Sequence, residues 1–217
     1  MDAETVHPVD ESAPEVARIF ELDRRLARRV AAAGDRGALP FVLAGNCCSC
    51  LGTVAGAGPR ELGVVWFDAH ADFDTPEDNL SGFTDVMGLA ILTGSGWRTL
   101  RESIPGFAPV PEDDVVLAAV RDLEPYQRER LARSAVTTVP GTIEPAARAG
   151  ALDSLRRRVR RVYLHIDPRS RPPWVAACDP QAPEDQPMSY GVAARSRSAR
   201  ASGDPSAPAR CSHSHRS

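Results

Sequence analysis

Three aspartates and a histidine fall within seven residues at the end of an apolar run: Val64, Val65, Trp66 and Phe67 lead into Asp68, His70, Asp72 and Asp74. Carboxylates a few ångströms apart repel one another unless protons or cations lie among them. Asp68, His70 and Asp72 alternate, so an extended backbone turns their side chains to one side. Carboxylate oxygens with one imidazole suit Mn²⁺, Fe²⁺, Zn²⁺ or Mg²⁺. Asp167 closes a second apolar run, "VYLHID", and is placed to bridge two such ions. A metal pair roughly 3.5–4 Å apart holds a hydroxide and polarises a substrate.

The elements that would position these residues alternate along the chain. A helix is expected from Ser12, with Glu15 at capping-box spacing and Pro14 in its first turn, ending at Gly34. Short apolar runs at Leu39–Gly45, Leu62–Asp68, Asp114–Val120, Ala135–Val139 and Arg161–Asp167 read as strands. Helical segments separate them, at Ser49–Ala57, in "DVMGLAILTG", after Asp122 as a cap, and near Pro145–Arg160. Buried strands alternating with helices imply an α/β fold with a parallel sheet covered on both faces. Ligands bind such sheets beyond the carboxyl ends of the strands, where Asn46, Asp68 and Asp167 all lie.

Composition narrows the possibilities further. The chain has 217 residues and a net charge of −3, and every basic residue is arginine. This balance favours neither nucleic acid nor an anionic membrane as partner. No run reaches the roughly 18 apolar residues of a membrane span, and the acidic N-terminus is unlike a secretory signal. Five cysteines, three of them in "CCSC", do not make a disulfide framework, which places the protein in the cytoplasm. The last 50 residues hold 8 Pro, 9 Ser, 9 Ala and 7 Arg, with no Leu, Ile or Phe. The expected organisation is therefore an extension over 1–11, one α/β domain over 12–167, and a disordered tail over 168–217.

"WFDAHADFDTP" resembles the W-x-D-A-H-x-D-x-[ND]-T-P motif of the ureohydrolases, the family of arginase, agmatinase and formiminoglutamase. "LAGNCCSCLGTVAG" is similar to the family's GGDHS segment, "SGFTDVMGLAILTG" to the segment carrying SGN-x-H-G, and "VYLHID" to the start of H-x-D-x-D-x-x-D-P. The resemblance covers about Leu39 to Asp167. It implies a three-layer α/β/α, arginase-like fold, here incomplete, and a binuclear Mn²⁺ site. It implies hydrolysis of guanidino or linear amidine C–N bonds by a metal-bridged hydroxide, on a small-molecule substrate, in a homo-oligomer. By position Asp68 and Asp167 would bridge the ions, and His70 and Asp72 would each bind one. Asp74 and Ser81 would lie near the substrate; Asp74 and, from a departure in the SGN-x-H-G segment, Asp85 are the candidate catalytic residues. His165 would be buried beside the ions rather than bind one.

Three departures qualify this. Cys47 stands where the GGDHS histidine ligand belongs, which favours a softer ion such as Zn²⁺. The histidine of SGN-x-H-G is absent, and Asp85 lies nearby to pair with a cation or shuttle protons. The second Asp of D-x-D is replaced by Arg169, whose charge would weaken a metal pair. The departures leave open one ion instead of two, and a truncated, inactive relative with an incomplete site whose tail has lost its reading frame. "DFDT" also fits the D-x-D-x-T of a phosphatase, and Cys47-x-x-Cys50 a redox dithiol.

Overall fold

The apolar runs after residue 39 become strands in the computed structural model, which describes residues 3–7, 10, 12–79, 81–139, 145–167 and 189–195. β1 is Phe41–Ala44, β2 Leu62–Phe67, β3 Val115–Ala118, β4 Thr137–Val139, β5 Arg161–Ile166 and β6 Ser189–Arg195. They form one sheet in the order β1-β6-β5-β2-β3-β4. β2 pairs in parallel with β5 and β3, and β3 with β4. β6 runs antiparallel to both its neighbours, β1 and β5. The other five strands therefore share one direction, and their carboxyl ends collect at one edge of the sheet.

The helices are α1 (Glu15–Asp35), α2 (Cys50–Ala57), α3 (Gly88–Leu92), α4 (Arg98–Glu102), α5 (Pro125–Arg133) and α6 (Pro145–Arg158). Side chains alternate along β2, and the two sets enter different cores. Val64 and Trp66 pack with Phe20 and Ala27 of α1, Leu51 and Val54 of α2, and Ile91 of α3. Val65 packs with Val116, Val139 and, from α6, Leu155 and Val159. This is the expected three-layer arrangement. Close approach of α1 and α2 depends on small residues. A Cβ on Gly56 would stand 2.3 Å from the Ala27 carbonyl oxygen, and one on Gly52 would stand 2.6 Å from that of Asp23. No helix among the described residues is long and apolar enough to cross a membrane.

Three expectations change. Ser12 and Glu15 do not form a capping box: Pro14 is the N-cap, Ser12 bonds back to Asp10, and Glu15 accepts a hydrogen bond from Thr84. Pro14 already fixes the extended entry geometry, so no side-chain cap is needed there. Asp122 does not cap α5. Glu124 does, with its N–H donating to Gln127 Oε1 at 2.9 Å and Pro125 opening the helix. Finally, the expected disordered tail contains a strand, β6, inserted between β1 and β5. Two backbones with unmet ladder groups outweigh the strand's lack of bulky apolar residues. Arg169 lies outside the described residues.

Candidate metal centre

The register of the sheet brings the acidic cluster together. Trp66 lies opposite His165 and Phe67 opposite Ile166, so Asp68 and Asp167 leave adjacent strands side by side. Two backbone bonds fix them: Asp167 N–H donates to the Phe67 carbonyl at 2.9 Å, and Asp68 N–H to that of Ala118 at 3.1 Å. Both carboxylates are buried.

The loop after β2 carries Asp72 at φ +47°, a left-handed conformation that a non-glycine residue rarely adopts. Its carbonyl accepts from the N–H groups of Leu89 and Ala90 in α3, so helix formation holds the loop in that shape. Cys47 arrives from the single 3₁₀ turn that follows β1. The Asn46 side chain caps that turn at Cys48 N–H, 2.8 Å away. Cys47 N–H donates to the buried Asp85 carboxylate, and its Sγ lies 4.0 Å from Asp167 Oδ2. One ligand atom each from Cys47, Asp68 and His165 lie within 4.8 Å of one another.

The electrostatics follow from crowding. Burial pushes the Asp72 carboxyl well above the usual range, and the charges of Asp68 and Asp85 add to it. Burial works against ionisation of Asp68 as well, but hydrogen bonds from His70 prevail and hold it low. His70 N–H donates to Asp68 Oδ1 at 3.0 Å, and its Nδ1 lies 3.3 Å from the same oxygen. Its Nε2 lies 3.6 Å from Asp122 Oδ2. The bond to Asp68 raises the His70 pKa, against the opposing effect of partial burial. Burial pushes the Cys47 thiol well up, and the surrounding aspartates push it further. Cys48 and Cys50 are likewise buried, raised by burial, and bonded to the carbonyls of Thr84 and Gly88. A reactive dithiol needs the opposite shift.

The expected site residues divide in two. The structure gathers Cys47, Asp68, Asp72, Asp85 and Asp167 into one buried cluster with His70 at its rim. Asp74 has other work: its two oxygens accept from Tyr126 Oη at 3.0 Å and Gln127 Nε2 at 2.9 Å, tying the loop to the start of α5. Ser81 is exposed and bonds Asn79. Two contacts go beyond the expectation from sequence. Asp122 approaches His70, because its N–H and that of Arg121 bond the Ala69 carbonyl. His165 reaches the cluster itself, on the β5 face shared with Tyr163 and Asp167, a period-2 signal present in the sequence. A cluster of buried carboxylates holding one another's protons is a donor set that divalent cations fit.

An α/β sheet with a buried acidic cluster at its carboxyl edge defines the class. The family follows from comparison: residues 3–168 match the model of the arginase family, and the chain belongs to that family. An arginase of Bacillus caldovelox is 31% identical over 159 residues, covering 69% of this chain and 52% of the relative. One of Staphylococcus aureus is 33% identical over 113 residues, covering 51% and 37% respectively. The solved B. caldovelox arginase superposes with a TM-score of 0.64 at 28% identity, covering 76% of this chain and 57% of that one. The chain thus spans about half the length of the relatives it matches.

Proposed function

We propose that this chain is a metal-dependent hydrolase of C–N bonds in guanidino compounds or other linear amidines. The carrying observation is the convergence of Asp68, Asp72, Asp85, Asp167 and Cys47 in one buried cluster. Asp68, Asp72 and Asp167, with His70 and Cys47, would hold the cations; Mn²⁺ is the ion the family resemblance favours. Bound ions would supply Lewis acidity toward the trigonal carbon and lower the pKa of water.

The chain's own residues have separable tasks. His70 stands at the rim with Asp68 3.3 Å from Nδ1 and Asp122 3.6 Å from Nε2, so that one ring nitrogen would turn from its carboxylate to an ion. Asp85 positions Cys47 through its backbone N–H. The acidic pocket attracts a cationic guanidinium and disfavours anionic substrates. Three free, buried cysteines among the described residues support a reducing location, the cytoplasm.

Metal analysis of the purified chain followed by a urea-release screen across guanidino compounds tests this reading. The parent should retain Mn²⁺ and release urea from at least one compound, and Asp68→Ala should lose both. Equal Mn²⁺ in parent and variant would sink the site assignment. A second reading, a metal-binding relative without activity, is favoured by Cys47 at the expected histidine position. Metal uptake without turnover on any amidine would select it.

A further inference from the structure

His165 carries an observation that the carboxylate pocket does not explain. Its ring is fully buried and stacks on Trp66, with centroids 3.6 Å apart and planes 9° from parallel. Nδ1 lies 3.1 Å from Tyr163 Oη. Nε2 is buried with no hydrogen-bond partner. A buried polar nitrogen without a partner has given up its hydration for nothing unless a ligand satisfies it. One ring nitrogen of His165, Cys47 Sγ and an Asp68 oxygen lie within 4.8 Å of one another.

We propose that Cys47, Asp68 and His165 form a thiolate–carboxylate–imidazole seat for one divalent cation of the Zn²⁺ or Co²⁺ class. The inference rests on reading the acidic pocket as a metal site, and it changes which residues and which ion occupy it. In the tautomer whose Nδ1–H donates to Tyr163 Oη, the Nε2 lone pair is left for the ion, the arrangement a hydrogen-bonded ligand histidine requires. The thiol proton is released as the ion binds. One thiolate, one carboxylate and a neutral imidazole then balance the 2+ charge. Sulfur and nitrogen donors select softer ions than an all-carboxylate pair does. Asp167, 4.0 Å from the sulfur through Oδ2, or a water completes four-coordination. A Tyr163 large enough to reach Nδ1 needs space on β6. Gly191 provides it, since a Cβ there would stand 2.7 Å from Tyr163 Oη.

The test is titration of the full reduced chain with Co²⁺ alone, followed by absorption. The expected result is a sulfur-to-cobalt charge-transfer band with tetrahedral visible bands, saturating at one ion. Cys47→Ser should abolish the band, while Cys48→Ala and Cys50→Ala keep it. His165→Gln and Tyr163→Phe should each weaken Co²⁺ binding about tenfold or more. Tyr163→Phe serves where His165→Gln fails to fold by circular dichroism. Co²⁺ binding without the band, a band that survives Cys47→Ser, or unchanged affinity in the histidine and tyrosine variants overturns the seat. If Asp68→Ala still abolishes metal uptake in those cases, the broader reading of the acidic cluster as a metal site stands. If neither Co²⁺ nor Mn²⁺ binds the parent, both fall.

Discussion

Asp23 lies on the buried stripe of α1 with Phe20, Ala27 and Val30. Its Oδ1 accepts from Gly52 N–H at 3.0 Å, and its Oδ2 is buried with no hydrogen-bond partner. Burial raises its pKa well above the ordinary value, more than the Gly52 bond lowers it. The sign follows from linkage. Above about pH 4 the unfolded chain ionises this carboxyl while the folded chain keeps it protonated. Its contribution is therefore fully present below about pH 4 and is lost as pH rises toward the folded pKa. Asp23→Asn keeps an acceptor for Gly52 and removes the titration. The variant should be more stable than the parent at pH 7, by on the order of 1 kcal/mol or more, and the two should converge near pH 4. Urea denaturation of both proteins across that range checks this, and parallel curves would refute it.

At the scale of elements, the strands around the site were legible because each is a short apolar run ending in a polar residue. Asp68, His70, Asp72 and Asp167 could be proposed from that pattern alone. That His165 offers a ligand atom to the cluster was not legible, although Tyr163, His165 and Asp167 visibly alternate. It depends on Trp66 lying opposite His165, and register across a parallel pair is set by tertiary packing. β6 was hidden for a different reason. "SYGVAAR" has little to bury, and its place comes from the needs of β1 and β5. The pairing can be tested directly. Val192 lies opposite Phe41 on one side and Leu164 on the other, within an internal strand where proline removes a ladder hydrogen bond. Val192→Pro should destabilise the protein by about 1–3 kcal/mol, the cost of leaving a ladder acceptor unpaired, and Val192→Ala by less. Equal thermal midpoints for the two variants would show that β6 does not contribute to the sheet.

Across the whole molecule, the site opposes folding until something neutralises it. Asp68, Asp72, Asp85 and Asp167 are all buried at one edge of the sheet, and Asp72 shows the strain in its raised pKa and its left-handed backbone. A cation that binds the folded chain removes that repulsion and stabilises by mass action, about 2.7 kcal/mol at a hundredfold excess over Kd. Mn²⁺ is the better probe here than Zn²⁺, because Zn²⁺ also binds the cysteines and histidines of the unfolded chain and so masks the effect. Adding Mn²⁺ to chelator-treated protein should raise the thermal midpoint in proportion to the logarithm of its concentration, and chelator should reverse the gain. Asp68→Ala should start with a different midpoint and show no response. A parent protein whose midpoint ignores Mn²⁺ would mean that protons alone hold these carboxylates together, and that the pocket is an acid-stabilised core.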